Sequence, residues 1–274
     1  MNVNVRDFVG ERAMPGVSGG SGLGAQIRAE WTKMASLRAV PLLLALTCVL
    51  PVVLGAVSGW SVRNAFDKKL NIVRADFSPV NSGHYPLLYA QVLVIAFAVL
   101  VVGSEYGSGT IRASLAAVPR RGVFYLGKVV AGAVPAAVVA VIAAVGGFLA
   151  TQWGLGDYAV AADDPDILPT TAGAAVYLVL MYAVSVGVAT VLRGTALASA
   201  VLIVLVMVLS PLLNRFPTLR PVARYLPDHA GTQLMTVGES ADPGLSPLAG
   251  LVVLVAWAAV ALLGGYLALR AREV

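Results

Sequence analysis

Charge is scarce in this sequence. Asp, Glu, Lys and Arg make up 12% of its 274 residues, against about 25% in soluble domains. Hydrophobic residues reach 58% and mean hydropathy is +0.84, more apolar surface than a water-soluble fold of this size could bury. Cysteine is nearly absent. The single Cys48 lies in an apolar run, which excludes an internal disulfide framework and argues against a thiolate metal cluster. Histidine is limited to His84 and His229, and no catalytic constellation or metal-ligand spacing is evident, so the chain is not expected to be an enzyme. The His229–Asp228 neighbours read as a loop hydrogen bond or helix cap. The long apolar runs also lack the mid-membrane carboxylates that mark ion-driven carriers.

A working phosphate loop is missing too. Gly122–Val129, GVFYLGKV, approaches G-x-x-x-x-G-K-[ST], but Val129 replaces the hydroxyl that would hold Mg²⁺ and Pro119-Arg120-Arg121 precede it instead of a strand. It reads as the start of a membrane helix, with Lys128 snorkelling to the interface. Gly16–Gly20 fits G-x-S-x-G without the strand and helix that a nucleophile elbow needs. The net charge of +5 is read as basic residues at membrane edges, not as a nucleic-acid surface.

What is present is a series of apolar runs. A helix needs about 20 such residues to cross the hydrocarbon layer. Six runs qualify: Ala39–Val62, Phe77–Ser104, Val129–Gly156, Ile167–Leu192, Gly194–Asn214 and Pro243–Leu269. None shows the period-two polarity of barrel strands, so the fold expected is all-α, a polytopic membrane protein with six transmembrane helices. Residues 1–24 read as a flexible tail and 25–274 as one transmembrane domain, with an outer segment over 216–246. Gly55–Gly59, GAVSG, could pass for a signal-cleavage site, but the first run is too long for a signal-peptide core. Placing both termini inside puts twelve Lys and Arg on the inner side and seven on the outer, which favours cytoplasmic termini. Ala136, Ala140, Ala144, Ala143 and Gly147 give a weak small-residue signal for close packing.

Two short amphipathic pieces fall on the inner side. Ile27, Trp31, Met34 and Leu37 recur at helical spacing, with Arg28, Glu30 and Lys33 between them. This predicts an N-terminal interfacial helix that lies on membrane lipid. Between spans two and three, GSEYGSGTIRASLAAVPRRG predicts a short cytoplasmic helix that Thr110 can cap and Pro119 ends.

These stretches resemble the permease subunits of type-2 (type V) ATP-binding-cassette exporters. RAEWTKMASLRAVPLLLAL resembles the family's interfacial helix and first span. GSEYGSGTIRASLAAVPRRGVFYLGKVV resembles its coupling segment, and YLPDHAGTQLM with the last apolar run resembles its outer segment and final span. The resemblance implies a plasma-membrane permease that pairs with a second copy or a paralogue and binds two copies of a cytosolic ATPase. No cofactor is then expected in this chain, ATP and Mg²⁺ being held by the partner. It further implies export of a hydrophobic or amphipathic substrate such as a drug, antibiotic, lipid or modified peptide. Glu105, Tyr106, Gly109, Thr110, Ile111 and Arg112 would form the ATPase-docking element, with Trp31, Lys33 and the Arg193-Gly194 turn nearby. The alternative is a non-transporting immunity or sensor subunit on the same scaffold.

Overall fold

The structure, a computed structural model, describes residues 22–70, 77–107, 109–118, 120–238 and 245–271. The tail up to residue 21 and the stretch 239–244 of the outer segment lie outside the described residues. Among those described there is no strand.

Six helices or helix pairs are long and apolar enough to cross a membrane, and the chain is a multi-pass membrane protein. A short helix α1 (Leu23–Ser36) leads into α2 (Ala39–Asp67), the first span. The second span is built from α3 (Pro79–His84) and α4 (Leu87–Gly107). They are separated at Tyr85-Pro86, where Pro86 has no amide for the ladder and crowds the residue before it. After α5 (Ile111–Ala117), the third span α6 (Arg121–Leu155) runs for 35 residues. It begins eight residues before the apolar run does, because Arg121–Lys128 are already helical. Helix α7 (Ile167–Leu192) ends at Arg193, whose left-handed backbone (φ 56°, ψ 13°) reverses the chain into α8 (Thr195–Val204). A π-helical turn at Leu205–Leu209 and α9 (Ser210–Arg215) complete the fifth span. Helices α10 (Arg220–Ala223) and α11 (Pro227–Thr232) then lead to α12 (Pro247–Ala271), the last span.

Helices α4 and α7 lie innermost. In the second and fourth spans 61% of the most apolar window is buried, against 22% in the first, fifth and sixth. The outer helices expose Leu42, Val53, Val138, Leu149, Val260 and Leu267, an apolar surface suited to lipid tails.

Between apolar helices in lipid, close van der Waals contact replaces the hydrophobic drive, so small residues mark interfaces. Helices α2 and α6 make the most extensive pair. A Cβ on Gly55 would lie 2.6 Å from the Gly147 carbonyl, and one on Gly59 would strike the Thr151 carbonyl. GAVSG is therefore a helix-packing G-x-x-x-G within an unbroken span. Ala136, Ala140, Ala143 and Ala144 are all buried on α6, so the weak small-residue signal does mark packed positions.

Both α1 and the end of α12 lie at one end of the bundle, here the proximal face, and α3 and α11 lie at the distal face. Asn81 fastens the distal side: its amide group donates to the Val237 carbonyl at 2.9 Å and accepts from the Val237 amide at 2.8 Å. His84 is a core residue, with Nδ1 3.0 Å from the Val80 carbonyl and Nε2 3.3 Å from Thr171 Oγ1.

Candidate functional site

The proximal face gathers four charged side chains from three helices. Along α1 the buried positions are Gln26, Glu30 and Met34, spaced four apart on one stripe. That stripe faces α6. Lys128, about two turns in from the proximal end of the third span, directs its ammonium 2.6 Å from Glu30 Oε2 and 3.0 Å from Glu105 Oε1. Lys33 lies 3.0 Å from Glu30 Oε1 and 2.7 Å from Glu105 Oε1. Gln26 Nε2 donates to Glu30 Oε1 at 3.0 Å, and Lys33 Nζ is 3.3 Å from Ser114 Oγ on α5.

Two carboxylates and two ammonium groups make the cluster formally neutral. Glu30, Glu105 and Lys128 are 1%, 5% and 3% exposed, so each has given up nearly all its hydration. Such groups persist only when paired and hydrogen-bonded, since each buried ion costs several kcal/mol to desolvate. Glu105 Oε2 is the one cluster oxygen without a partner. Lys33 is more open. Burial lowers its pKa, but the two glutamates outweigh that and the net shift is upward.

Lys128 is not a snorkelling residue. Its ammonium is buried in this cluster and lies 5.4 Å from the centroid of the Phe124 ring. Gly122–Val129 is α-helical throughout, so its amides close helical turns and form no phosphate cradle.

The α4–α5 segment meets the cluster through Ser114, which Lys33 reaches. Gly109 adopts φ 69°, a left-handed turn open to glycine without strain. Helix α5 then docks through Ile111, which packs with Val118, Phe124, Tyr125 and Leu269 in a small apolar core of its own. Thr110 has a helical backbone (φ −68°, ψ −14°), not the extended one usual for a hydroxyl cap. Tyr106 is half-buried with Arg193 5.7 Å from its ring centroid.

The residues expected to dock a partner thus divide. Glu105 and Ile111 point inward and anchor the segment, while Gly109 and Thr110 are exposed together with Ala113 and Ala116. The side chain of Arg112 lies outside the described residues. Ile27 and Met34 of α1 and Leu37 just after it pack against the main core. Trp31 is 47% exposed, and its indole N–H donates to the Ala131 carbonyl at 2.9 Å.

The end of α12 closes the face. Arg121 donates to the carbonyls of Leu269 at 2.7 Å and Arg270 at 3.0 Å, and Arg193 donates to Ala268 at 3.2 Å. Cations therefore occupy the carbonyl end of that helix, where the dipole favours them. Beside the cluster, an apolar groove of about 560 Å³ runs between the α1–α2 corner and α6, lined by Trp31, Met34, Pro41, Leu44, Pro135 and Val138 among others.

Sequence reasoning placed Glu30 on the polar side of a membrane-lying helix, although it is the most buried charge of the cluster. A usable signal was present: Glu30 and Glu105, two of only five glutamates, each lie beside a span whose neighbouring segment brings a lysine.

No protein-family model matches this chain, and no curated protein matches it.

Proposed function

We propose that this chain is the permease subunit of an ATP-binding-cassette exporter, with the proximal face cytoplasmic. It pairs with a second copy or a paralogue, and two copies of a cytosolic ATPase, holding ATP and Mg²⁺, supply the energy. The buried cluster is the observation that carries the reading. Glu30, Lys33, Glu105 and Lys128 tie α1, α4 and α6 together directly beneath α5. A push on the exposed Gly109-Thr110 turn would reach the second and third spans and α1 as one unit. Dry, paired charges resist deformation better than the apolar contacts around them. The apolar groove beside the cluster suits a hydrophobic or amphipathic substrate entering from the cytoplasmic leaflet.

The test is reconstitution of the permease with its ATPase in vesicles. Glu105→Gln should leave membrane insertion and ATPase binding in place while lowering export and transport-linked hydrolysis together. Unchanged export in that variant, or ATP hydrolysis by the purified chain alone, would defeat the proposal. ATPase binding with no cargo movement under any condition would indicate a sensor or immunity subunit instead.

A further inference from the structure

At the distal end, a second cavity of about 330 Å³ lies between α4, the last turns of the fifth span and α11. Its origin is local. Within Leu205–Leu209 the helix widens, and the Ser210 amide returns to the Leu205 carbonyl five residues back. Pro211 has no amide to offer the next turn. Such π-turns inside helices are frequent at functional sites because they redirect side chains and loosen the backbone ladder.

Asp228 of α11 borders the cavity and is 8% exposed. The Ser210 hydroxyl and the amides of Asp228 and His229 steady its carboxylate, yet Oδ1 has no hydrogen-bond partner. Burial pushes its carboxyl up to about 6, so the group is still mainly ionised at neutral pH. Among the described residues no lysine or arginine lines the cavity. A buried carboxylate oxygen with no hydrogen-bond partner is costly, and a cation entering the cavity would match it.

The walls indicate what kind of cation. Leu88, Val206, Met207 and Pro211 are apolar, and the remaining polar lining is neutral side chains and His229. A bare metal ion needs several oxygens closing around it at short range. One carboxylate and scattered neutral oxygens in a wide cavity do not close around such an ion, and no group of three or more His, Cys, Asp or Glu side chains occurs among the described residues. A protonated amine asks for less: one carboxylate, a few neutral acceptors such as Asn214 and Thr232, and an apolar wall for its body. The volume lies at the lower end of the range for small-molecule sites, about 300–1,000 Å³.

We propose that this cavity binds an organic monocation, a protonated amine on an apolar body, with Asp228 as its counter-ion. The assignment needs only the folded chain and stands apart from the ATPase-driven reading.

The purified full-length chain in phosphatidylcholine nanodiscs should be titrated by calorimetry with 4-phenylbutylamine and, separately, with 4-phenylbutanol, subtracting empty nanodiscs. The amine should bind about tenfold tighter or more, as one hydrogen bond to a charged group provides. Asp228→Asn should erase the difference between amine and alcohol. Equal affinities in the wild-type chain would overturn the proposal without recourse to any variant. So would discrimination that survives in a folded Asp228→Asn protein. If that variant does not fold, Met207→Trp, which fills the cavity and keeps the charge, should abolish amine binding, and retained binding would overturn it. Stabilisation by sodium chloride with no response to the amine would also overturn it, in favour of an inorganic ion.

Discussion

Lys128 is 3% exposed and touches two carboxylates, Glu30 and Glu105, so its removal leaves uncompensated negative charge in a dry place. Lys128→Met should cost about 3–5 kcal/mol, the range for breaking a buried pair from one side. Thermal unfolding in detergent would measure it. Combining it with Glu30→Gln should cost less than the sum of the two single changes, because the double variant removes opposite charges together. A strictly additive result would mean that the two groups do not interact. Lys33 differs, since water reaches its side chain and screens it. Its pKa is raised above 10.5 by Glu105 and Glu30 in spite of burial. The stability it contributes is therefore fully present at neutral pH and is lost only as the pH climbs through that raised value. A Lys33→Ala chain should accordingly show a smaller loss than Lys128→Met, and the gap between wild type and variant should narrow only under strongly alkaline conditions.

At the scale of elements, the spans were legible because length and hydropathy alone decide what crosses a bilayer. Their contacts were not. The length of the first run argues against cleavage at Gly55–Gly59, but nothing in sequence marks these glycines as a packing motif, which the approach of Thr151 and Gly147 shows. The cluster was hidden for a related reason. Helix α1 has aromatic and aliphatic residues on more than one side, so its polar stripe could face lipid headgroups or another helix, and pairing with Lys128 and Glu105 turns it inward. Gly59→Val tests the first point. Its new side chain would meet the Thr151 carbonyl, forcing α2 from α6 at a cost of about 1–3 kcal/mol by overpacking. Gly24→Ala on α1 has nothing within 4 Å and should be neutral or slightly stabilising. Equal unfolding temperatures for both variants would contradict the packing account. Arg121→Ala belongs to the same scale. It strips the carbonyls of Leu269 and Arg270 of their donor, and hydrogen exchange should speed up in the last turn of α12 while the middle of that helix stays protected.

For the whole molecule, the two faces differ in charge type, and that bears on which one meets the cytoplasm. The proximal face is latched by Arg121, Arg193, Lys33 and Lys128, whereas the loop after α6 carries Asp157, Asp163, Asp164 and Asp166 with no Lys or Arg. Acidic residues weigh little in setting topology, and basic ones near helix ends weigh heavily. That balance favours the proximal face inside, despite the basic residues that follow α2. The single cysteine makes the test direct. Cys48 replaced by serine gives a background without thiols, into which a cysteine can be placed at exposed Ser36 beside the proximal face or at exposed Asp163 beyond the distal end of α6. In intact cells a membrane-impermeant maleimide should label the Asp163→Cys chain, and it should reach the Ser36→Cys chain only after permeabilisation. The reverse pattern would place α5 and its exposed turn outside the cell, out of reach of any cytosolic ATPase. The permease reading would then fail, while the distal amine site, which depends only on Asp228 and the cavity around it, would stand or fall by its own titration.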